Sequence, residues 1–406
     1  MFPCFTPNTG IIRQPHYFYM CNRPQNVFDI FNEISGAFFA LIDGTRNEDQ
    51  VVSGILAQYD ATQRQVEDDL TALLQYLQSM GYVELRMRPE PVAVPFELSE
   101  GAAQMKLVNA EIEITNRCNL NCAYCYAEAN SGKKELSMEE WIRVLGSLHL
   151  TGLRSVTFSG GEPFCRKDFV DLLGEVHRKF IVSINTNGVL VDERVACVLG
   201  TLGLKAVQVS LDSMNAEMHD ALRGRGTWKR AIRGIELLKQ HDVPVRVSCT
   251  VTSTNETEIA SLRAYCRQNG FEFSPETMKA VGHARTLPAE CFSTFTDDNL
   301  AAGNSFGLLT FDTPCQASLG FAAVGCDGYL KPCNLPNDFF LKVAPGVLEG
   351  MARGPYYESP AFRAVDAACT HEATFGRQIV PDAVYDYPRC VLERFYYARL
   401  AEDGPD

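Results

Sequence analysis

From about residue 110 to residue 280 the chain alternates short apolar strands with amphipathic helices. This rhythm restricts the fold more than any other feature, because strands joined by helices of such length pair in parallel. Strands are expected at Glu111–Ile114, Ser155–Phe158, Phe180–Asn185, Lys205–Leu211 and Val243–Cys249, with a last one near Glu272–Met278. Ser137 followed three residues later by Glu140 reads as a capping box that opens a helix, and further helices are expected over Trp228–Gln240 and Glu256–Gln268. Six such units make an α/β fold, a partial (β/α)6 barrel, and in barrels the working residues sit at the carboxyl ends of the strands.

The polar punctuation obeys that rule. The first strand is followed by Cys118-Asn119-Leu120-Asn121-Cys122-Ala123-Tyr124-Cys125, three thiols spaced Cys-x3-Cys-x2-Cys. Three thiolates on one tight loop hold three irons of a four-iron, four-sulfur cluster and leave the fourth iron open. Taken alone, the triplet also fits a structural zinc or a group of small buried hydrophobes. The second strand runs into Ser159-Gly160-Gly161-Glu162-Pro163, where the glycines are expected to bring bare backbone close to a ligand and Glu162 offers an acceptor to an ammonium group. The third ends at Thr186-Asn187-Gly188 and the fourth at Ser210-Leu211-Asp212. Cys165, Cys197, Cys249 and Cys266 lie among apolar neighbours and read as core.

Together the cysteine loop and the Gly160-Gly161-Glu162-Pro163 turn resemble the radical S-adenosylmethionine (SAM) enzymes. The resemblance implies that Cys118, Cys122 and Cys125 hold a [4Fe–4S] cluster whose open iron is chelated by SAM. One electron then cleaves the cofactor, and the 5′-deoxyadenosyl radical removes a hydrogen atom from an unactivated carbon. It also implies that Tyr124 lies against the adenine and that Glu162, beside Gly160 and Gly161, takes the methionyl amine. Asn187, Ser210, Asp212 and Arg223 stand where the family contacts the ribose and carboxylate.

The first hundred residues read differently. Two strands, His16–Cys21 and Asn26–Phe31, are expected around a turn at Arg23-Pro24-Gln25, preceded by a short strand at Ile11–Arg13. Helices follow over Glu33–Leu41, Asn47–Gln58 and Thr62–Ser79, the last with Val66, Leu70, Leu73, Leu74 and Leu77 at helical spacing and Gly81 at its end. Strands followed by small helices suggest a winged helix. Binding to nucleic acid is excluded by charge: no Lys precedes Lys106, the third helix displays Glu67, Asp68 and Asp69, and the whole chain carries a net charge of −13. The stretch Phe31-Asn32-Glu33-Ile34-Ser35-Gly36 through Leu41-Ile42-Asp43-Gly44-Thr45 is similar to the recognition element that holds leader peptides in maturation enzymes of ribosomally made peptides. The resemblance implies that a leader adds a strand beside Val27, Phe28, Asp29, Ile30 and Phe31 and packs against the third helix.

Beyond residue 300, Phe321-Ala322-Ala323-Val324 and Asp327-Gly328-Tyr329-Leu330 read as a hairpin, since Asp-Gly flanked by apolar runs is a strong turn signal. Cys315 and Cys333 bracket it and Cys369 and Cys390 lie further on. This resembles the SPASM extension in its shortened twitch form. The resemblance implies one auxiliary iron–sulfur cluster on Cys315, Cys333, Cys369 and Cys390, with Cys326 a bystander beside the turn.

The domains expected are a winged-helix-like leader-recognition domain over residues 1–100, a radical SAM partial barrel over 101–300 and a twitch/SPASM-like domain over 301–406. This combination resembles the thioether-forming radical SAM maturases of ribosomally synthesised peptides. The resemblance implies joining of a cysteine sulfur to carbon in a precursor peptide of leader and core, with electrons from a flavodoxin or ferredoxin. A carbon–carbon crosslink and a small-molecule radical SAM reaction use the same first step. No run of 18 or more apolar residues occurs and the start lacks a signal-peptide pattern, so a cytoplasmic protein with no membrane contact is expected.

Overall fold

The computed structural model describes residues 1–13, 17–22, 24–25, 27–97, 108–127, 129–150, 153–278, 282–293, 321–331 and 341–342. At the amino end, β1 (Phe2–Phe5), β2 (Thr9–Arg13), β3 (Tyr17–Asn22) and β4 (Val27–Asn32) precede α1 (Glu33–Phe39), α2 (Glu48–Leu56) and α3 (Gln63–Ser79). Two short strands, β5 (Val83–Arg86) and β6 (Phe96–Glu97), complete the unit. One sheet runs β4-β3-β2-β6 with β4 at its edge, and β1 pairs antiparallel with β5. α2 and α3 begin where expected because Asn47 with Gln50, and Thr62 with Gln65, form reciprocal capping boxes. The inner stripe of α3 (Val66, Leu70, Leu73, Leu74, Leu77) is buried and shares a core with Phe18, Phe31 and Phe39. The Phe39 ring takes Phe18 and Phe31 edge to face, at 5.8 and 5.1 Å between centroids.

The barrel is built from β7 (Asn109–Thr115), α4 (Met138–Leu150), β8 (Ser155–Gly160), α5 (Phe169–Val176), β9 (Ile181–Thr186) and α6 (Glu193–Thr201). It continues through β10 (Ala206–Ser210), α7 (Ala216–Arg223), α8 (Thr227–Gln240), β11 (Val245–Val251), α9 (Ile259–Asn269) and β12 (Glu272–Thr277). Every neighbouring pair from β7 to β12 is parallel, as the alternation requires. α4 opens on the expected box, with Ser137 N donating to Glu140 Oε2 (2.7 Å) and Glu140 N donating to Ser137 Oγ (3.2 Å). Strand residues of one parity, such as Ile112, Phe158, Ile184, Val209 and Val247, pack with Trp141, Leu173 and Leu238 in a single core against the helices. Residues of the other parity, including Glu111, Glu113 and Ser159, are buried polar groups on the opposite, inner face.

The expected hairpin forms, and it adds a seventh parallel strand to the sheet. β13 (Phe321–Val324) pairs parallel with β7, placing Ala323 opposite Glu111. β14 (Tyr329–Lys331) returns antiparallel, and β15 (Leu341–Lys342) extends that edge. Gly328 takes the left-handed φ of 82° that the turn needs.

The amino-terminal unit meets the barrel at the amino ends of the barrel strands. Ile12, Tyr19 and Phe28 pack with Val108 and Ile181, just before β7 and at the start of β9. Lys205, which precedes β10, places Nζ 3.5 Å from Asp29 Oδ1 and 5.7 Å from the centre of the Phe28 ring. Burial pulls the Lys205 ammonium down from its ordinary pKa, and Asp29 opposes that shift. Tyr82 donates to the other oxygen of Asp29 at 2.9 Å.

Candidate functional site

The cysteine loop leaves the carboxyl end of β7 and is held by its flanks. Glu135 accepts from Thr115 Oγ1 (2.5 Å), Asn116 N (2.8 Å) and Arg117 Nη2 (3.1 Å), while Asn130 Oδ1 accepts from Cys118 N (2.9 Å). Cys118, Cys122 and Cys125 are each partly buried. Burial pushes the Cys118 thiol up to about 12 and raises Cys122, so the loop alone favours neutral thiols. A bound cation reverses that preference, because a coordinating thiol is deprotonated outright. Among the described residues no three His, Cys, Asp or Glu side chains already converge as a metal site. The three thiols share a loop, and as a donor set of sulfur alone they fit an iron–sulfur cluster with one iron left free of protein.

The Gly160-Gly161-Glu162 turn packs on this loop. A Cβ at Gly161 would lie 2.4 Å from Arg117 O, and one at Gly160, where φ is 120°, would lie 2.3 Å from Thr115 O. These glycines therefore admit the backbone of the β7 end and the cysteine loop at close range. Glu162 is fully buried and accepts from Thr186 Oγ1 (2.7 Å), Asn187 N (2.7 Å) and Phe164 N (3.2 Å). Burial outweighs those donors and raises its pKa to about 7. Asn187 Nδ2 donates to Asn119 Oδ1 at 2.8 Å and stands 4.0 Å from Cys118 Sγ, so the ends of β8 and β9 are tied to the cysteine loop through Glu162, Asn187 and Asn119.

Asp212 and Arg223 meet each other. Arg223 donates from Nε to Asp212 Oδ2 (2.6 Å) and from Nη2 to Oδ1 (3.1 Å), Thr250 N donates to Oδ1 (3.0 Å), and the Tyr124 hydroxyl donates to Oδ2. The guanidinium also lies 5.4 Å from the centre of the Tyr124 ring. Asp212 is thus engaged within the protein and fixes the placement of Tyr124 and Arg223. His219, whose pKa burial and Arg223 lower to about 4, accepts from Asp212 N through Nδ1 at 3.2 Å. Ser210 ends β10 half-buried on the inner face.

On β4 the side chains of Phe28 and Phe31 are buried and Asp29 is held by Tyr82 and Lys205, so a peptide beside Val27 to Phe31 would meet the backbone edge. Cys315, Cys333, Cys369 and Cys390 lie outside the described residues. Cys326 is buried, and its carbonyl accepts from Leu136 N at 2.8 Å. Cys249 and Cys266 are core as expected, but Cys197 is exposed on α6 and Cys165 is partly exposed, 3.9 Å from Asn119 Oδ1. Neither belongs to the core: Cys197 lies on the exposed side of α6, and Cys165 ends a short turn beside the cysteine loop. Asn119 and Glu135 were not singled out by the sequence, although both flank or lie within the cysteine loop. Asn255, whose Nδ2 donates to Asp212 O at 2.8 Å, carries no sequence signal at all.

This chain belongs to the radical SAM maturases of ribosomally made peptides, and it is an enzyme. The class works with a [4Fe–4S] cluster, SAM and an auxiliary iron–sulfur cluster, and its partner is a precursor peptide. The Radical SAM superfamily profile matches residues 112–262, and that of coenzyme PQQ synthesis protein D matches residues 29–83. The chain is 30% identical over 320 residues to the antilisterial bacteriocin subtilosin biosynthesis protein AlbA of Bacillus subtilis, covering 74% of this chain and 71% of that one. It is 33% identical over 264 residues to the sporulation killing factor maturation protein SkfB of the same organism, covering 59% and 63%. A probable GTP 3′,8-cyclase of Methanocaldococcus jannaschii is 30% identical over 274 residues, 61% of this chain and 91% of that one. In fold, the chain matches Streptococcus suis SuiB bound to S-adenosylmethionine with a TM-score of 0.57 at 15% identity, over 90% of this chain and 91% of that one. Among the described residues no helix is long and apolar enough to cross a membrane.

Proposed function

We propose that this enzyme forms an intramolecular thioether, joining a cysteine sulfur to a carbon of the core of its precursor peptide. The observation that carries the reading is the pairing of a three-thiol loop at the carboxyl end of β7 with a unit that matches coenzyme PQQ synthesis protein D on the same chain. The bound cluster and SAM supply one-electron cleavage that removes a hydrogen atom from an unactivated carbon. Cys118, Cys122 and Cys125 are assigned to the cluster. Glu162 takes the methionyl amine, Asn187 and Ser210 reach the ribose and carboxylate, and Asp212 holds Tyr124 and Arg223 in place for the adenine and carboxylate.

The likeness to AlbA and SkfB, named for a bacteriocin and a killing factor, supports a peptide product and the thioether chemistry. The cyclase likeness spans less of this chain, which favours peptide over small molecule. Residues 1–100 form the leader clamp with the strand-addition edge at Val27 to Phe31, 101–300 the catalytic barrel and 301–406 the auxiliary-cluster unit, with Cys315, Cys333, Cys369 and Cys390 as its ligands. The electron donor is a flavodoxin or ferredoxin, and the setting is the cytoplasm.

The test is anaerobic turnover of a leader–core peptide carrying cysteine in its core, read by tandem mass spectrometry. Loss of two hydrogens, with fragmentation that maps a Cys-to-carbon link, is expected. A link that persists in a core lacking every cysteine assigns a carbon–carbon product instead.

A further inference from the structure

The clamp and the reacting end lie at opposite ends of the barrel. The described contacts between them fall at the amino ends of strands, at Val108 before β7, Ile181 at the start of β9 and Lys205 before β10, with Tyr76 also near Arg246 and Glu272 at the starts of β11 and β12. The thiol loop, Glu162, Asn187 and Asp212 all stand at or just past the carboxyl ends. Asp29, the clamp residue that touches Lys205, sits on β4, the edge strand beside which the leader is proposed to lie. β7 has seven residues. At about 3.3 Å per strand residue its length, and so the height of the barrel, is roughly 20 Å.

We infer that the barrel acts as a ruler on the precursor peptide: the segment between the clamped leader and the first modified residue must span the barrel height, which sets a minimum spacer and favours residues within a window. This rests on the reading of β4 as the leader site. A chain reaches at most about 3.3–3.6 Å per residue, so roughly six residues is the floor for a 20 Å span. A flexible spacer has an r.m.s. reach of about 5–6 Å times the square root of its length, which matches 20 Å near about 13 residues. Effective concentration at the reacting end is near zero below the floor, greatest near the match, and declines slowly beyond it. The substrate this geometry selects is therefore a peptide whose modifiable residues lie some distance past its recognition segment. A core joined directly to the leader strand is refused.

The experiment uses the full, cluster-loaded enzyme and a series of leader–core peptides whose spacer is shortened or lengthened with Gly and Ser. Hydrogen exchange defines the leader segment that the enzyme protects. Fluorescence anisotropy gives leader affinity and mass spectrometry gives modification. The expected result is unchanged leader affinity throughout, a fall in kcat/KM of at least about tenfold below roughly six spacer residues, and a broad optimum near about 13. Full modification at a spacer of about two residues, with leader affinity intact, overturns the ruler while leaving the clamp standing. Equal modification of a leaderless core, or failure of the enzyme to protect any leader segment, overturns the clamp reading and the ruler with it.

Discussion

Glu162 is the side chain whose chemistry is most exposed to test, because it is a buried carboxyl surrounded only by neutral donors. Its pKa, raised to about 7 from the ordinary 4.5, means the folded protein holds a proton that the unfolded chain releases. The resulting stability is present below about pH 4.5 and is lost as pH rises through about 7. Denaturant titrations of SAM-free protein at acid and neutral pH are expected to show that the wild type loses on the order of 2 kcal/mol more than Glu162→Gln across that window. An ammonium docked on Glu162 favours the ionised form, so SAM affinity is expected to rise with pH up to about 7 and then level off, a trend that isothermal titration calorimetry of the Gln variant should abolish. At Asp212 the cost has another origin. Asp212→Asn leaves Arg223 buried with a neutral partner, and a loss of about 3–5 kcal/mol is expected in the same titrations.

At the scale of elements, the turn after β8 and the loop after β7 behave as one unit, since Gly161 packs on Arg117 O. Gly161→Ala is expected to leave the fold cooperative but to cut iron retained after reconstitution several-fold, measured by iron assay against far-ultraviolet circular dichroism. The parts of this architecture that local pattern reveals are those in which neighbours in sequence decide structure. Ser137 with Glu140, Val66 to Leu77 and Asp327-Gly328 each announce their element within a few residues. Pairings over long separations were hidden. β1 is the strand Phe2-Pro3-Cys4-Phe5, which has no alternation and takes its partner β5 about eighty residues away. The parallel seating of β13 on β7 joins segments still further apart, and the arrest of Asp212 draws in Tyr124 from across the barrel together with the nearer Arg223 and Thr250. Polar residues at strand ends could be read as site residues; whether each faces a cofactor or a neighbour depends on folding.

Among the described residues, the amino-terminal unit joins the barrel through a small apolar contact and the half-buried Lys205–Asp29 ion pair. Lys205→Ala removes the cationic partner of Asp29 at that joint and leaves its carboxylate to neutral tyrosine donors, Tyr82 and Tyr76. Turnover of the tethered precursor is expected to fall while 5′-deoxyadenosine release without peptide stays at the wild-type rate. Equal losses in both assays would show that the change damages the barrel and not the joint. The auxiliary unit is expected to be separable in the same sense: Cys333→Ser should lower bound iron and abolish crosslinking while SAM cleavage continues. All of this depends on one iron of the barrel cluster having no protein ligand, and electron paramagnetic resonance of the reduced, reconstituted enzyme addresses it directly. In a Cys315→Ser/Cys333→Ser variant, made to remove the proposed auxiliary cluster, addition of SAM is expected to shift the signal, and Cys118→Ala should remove it. A signal identical with and without SAM would contradict the account.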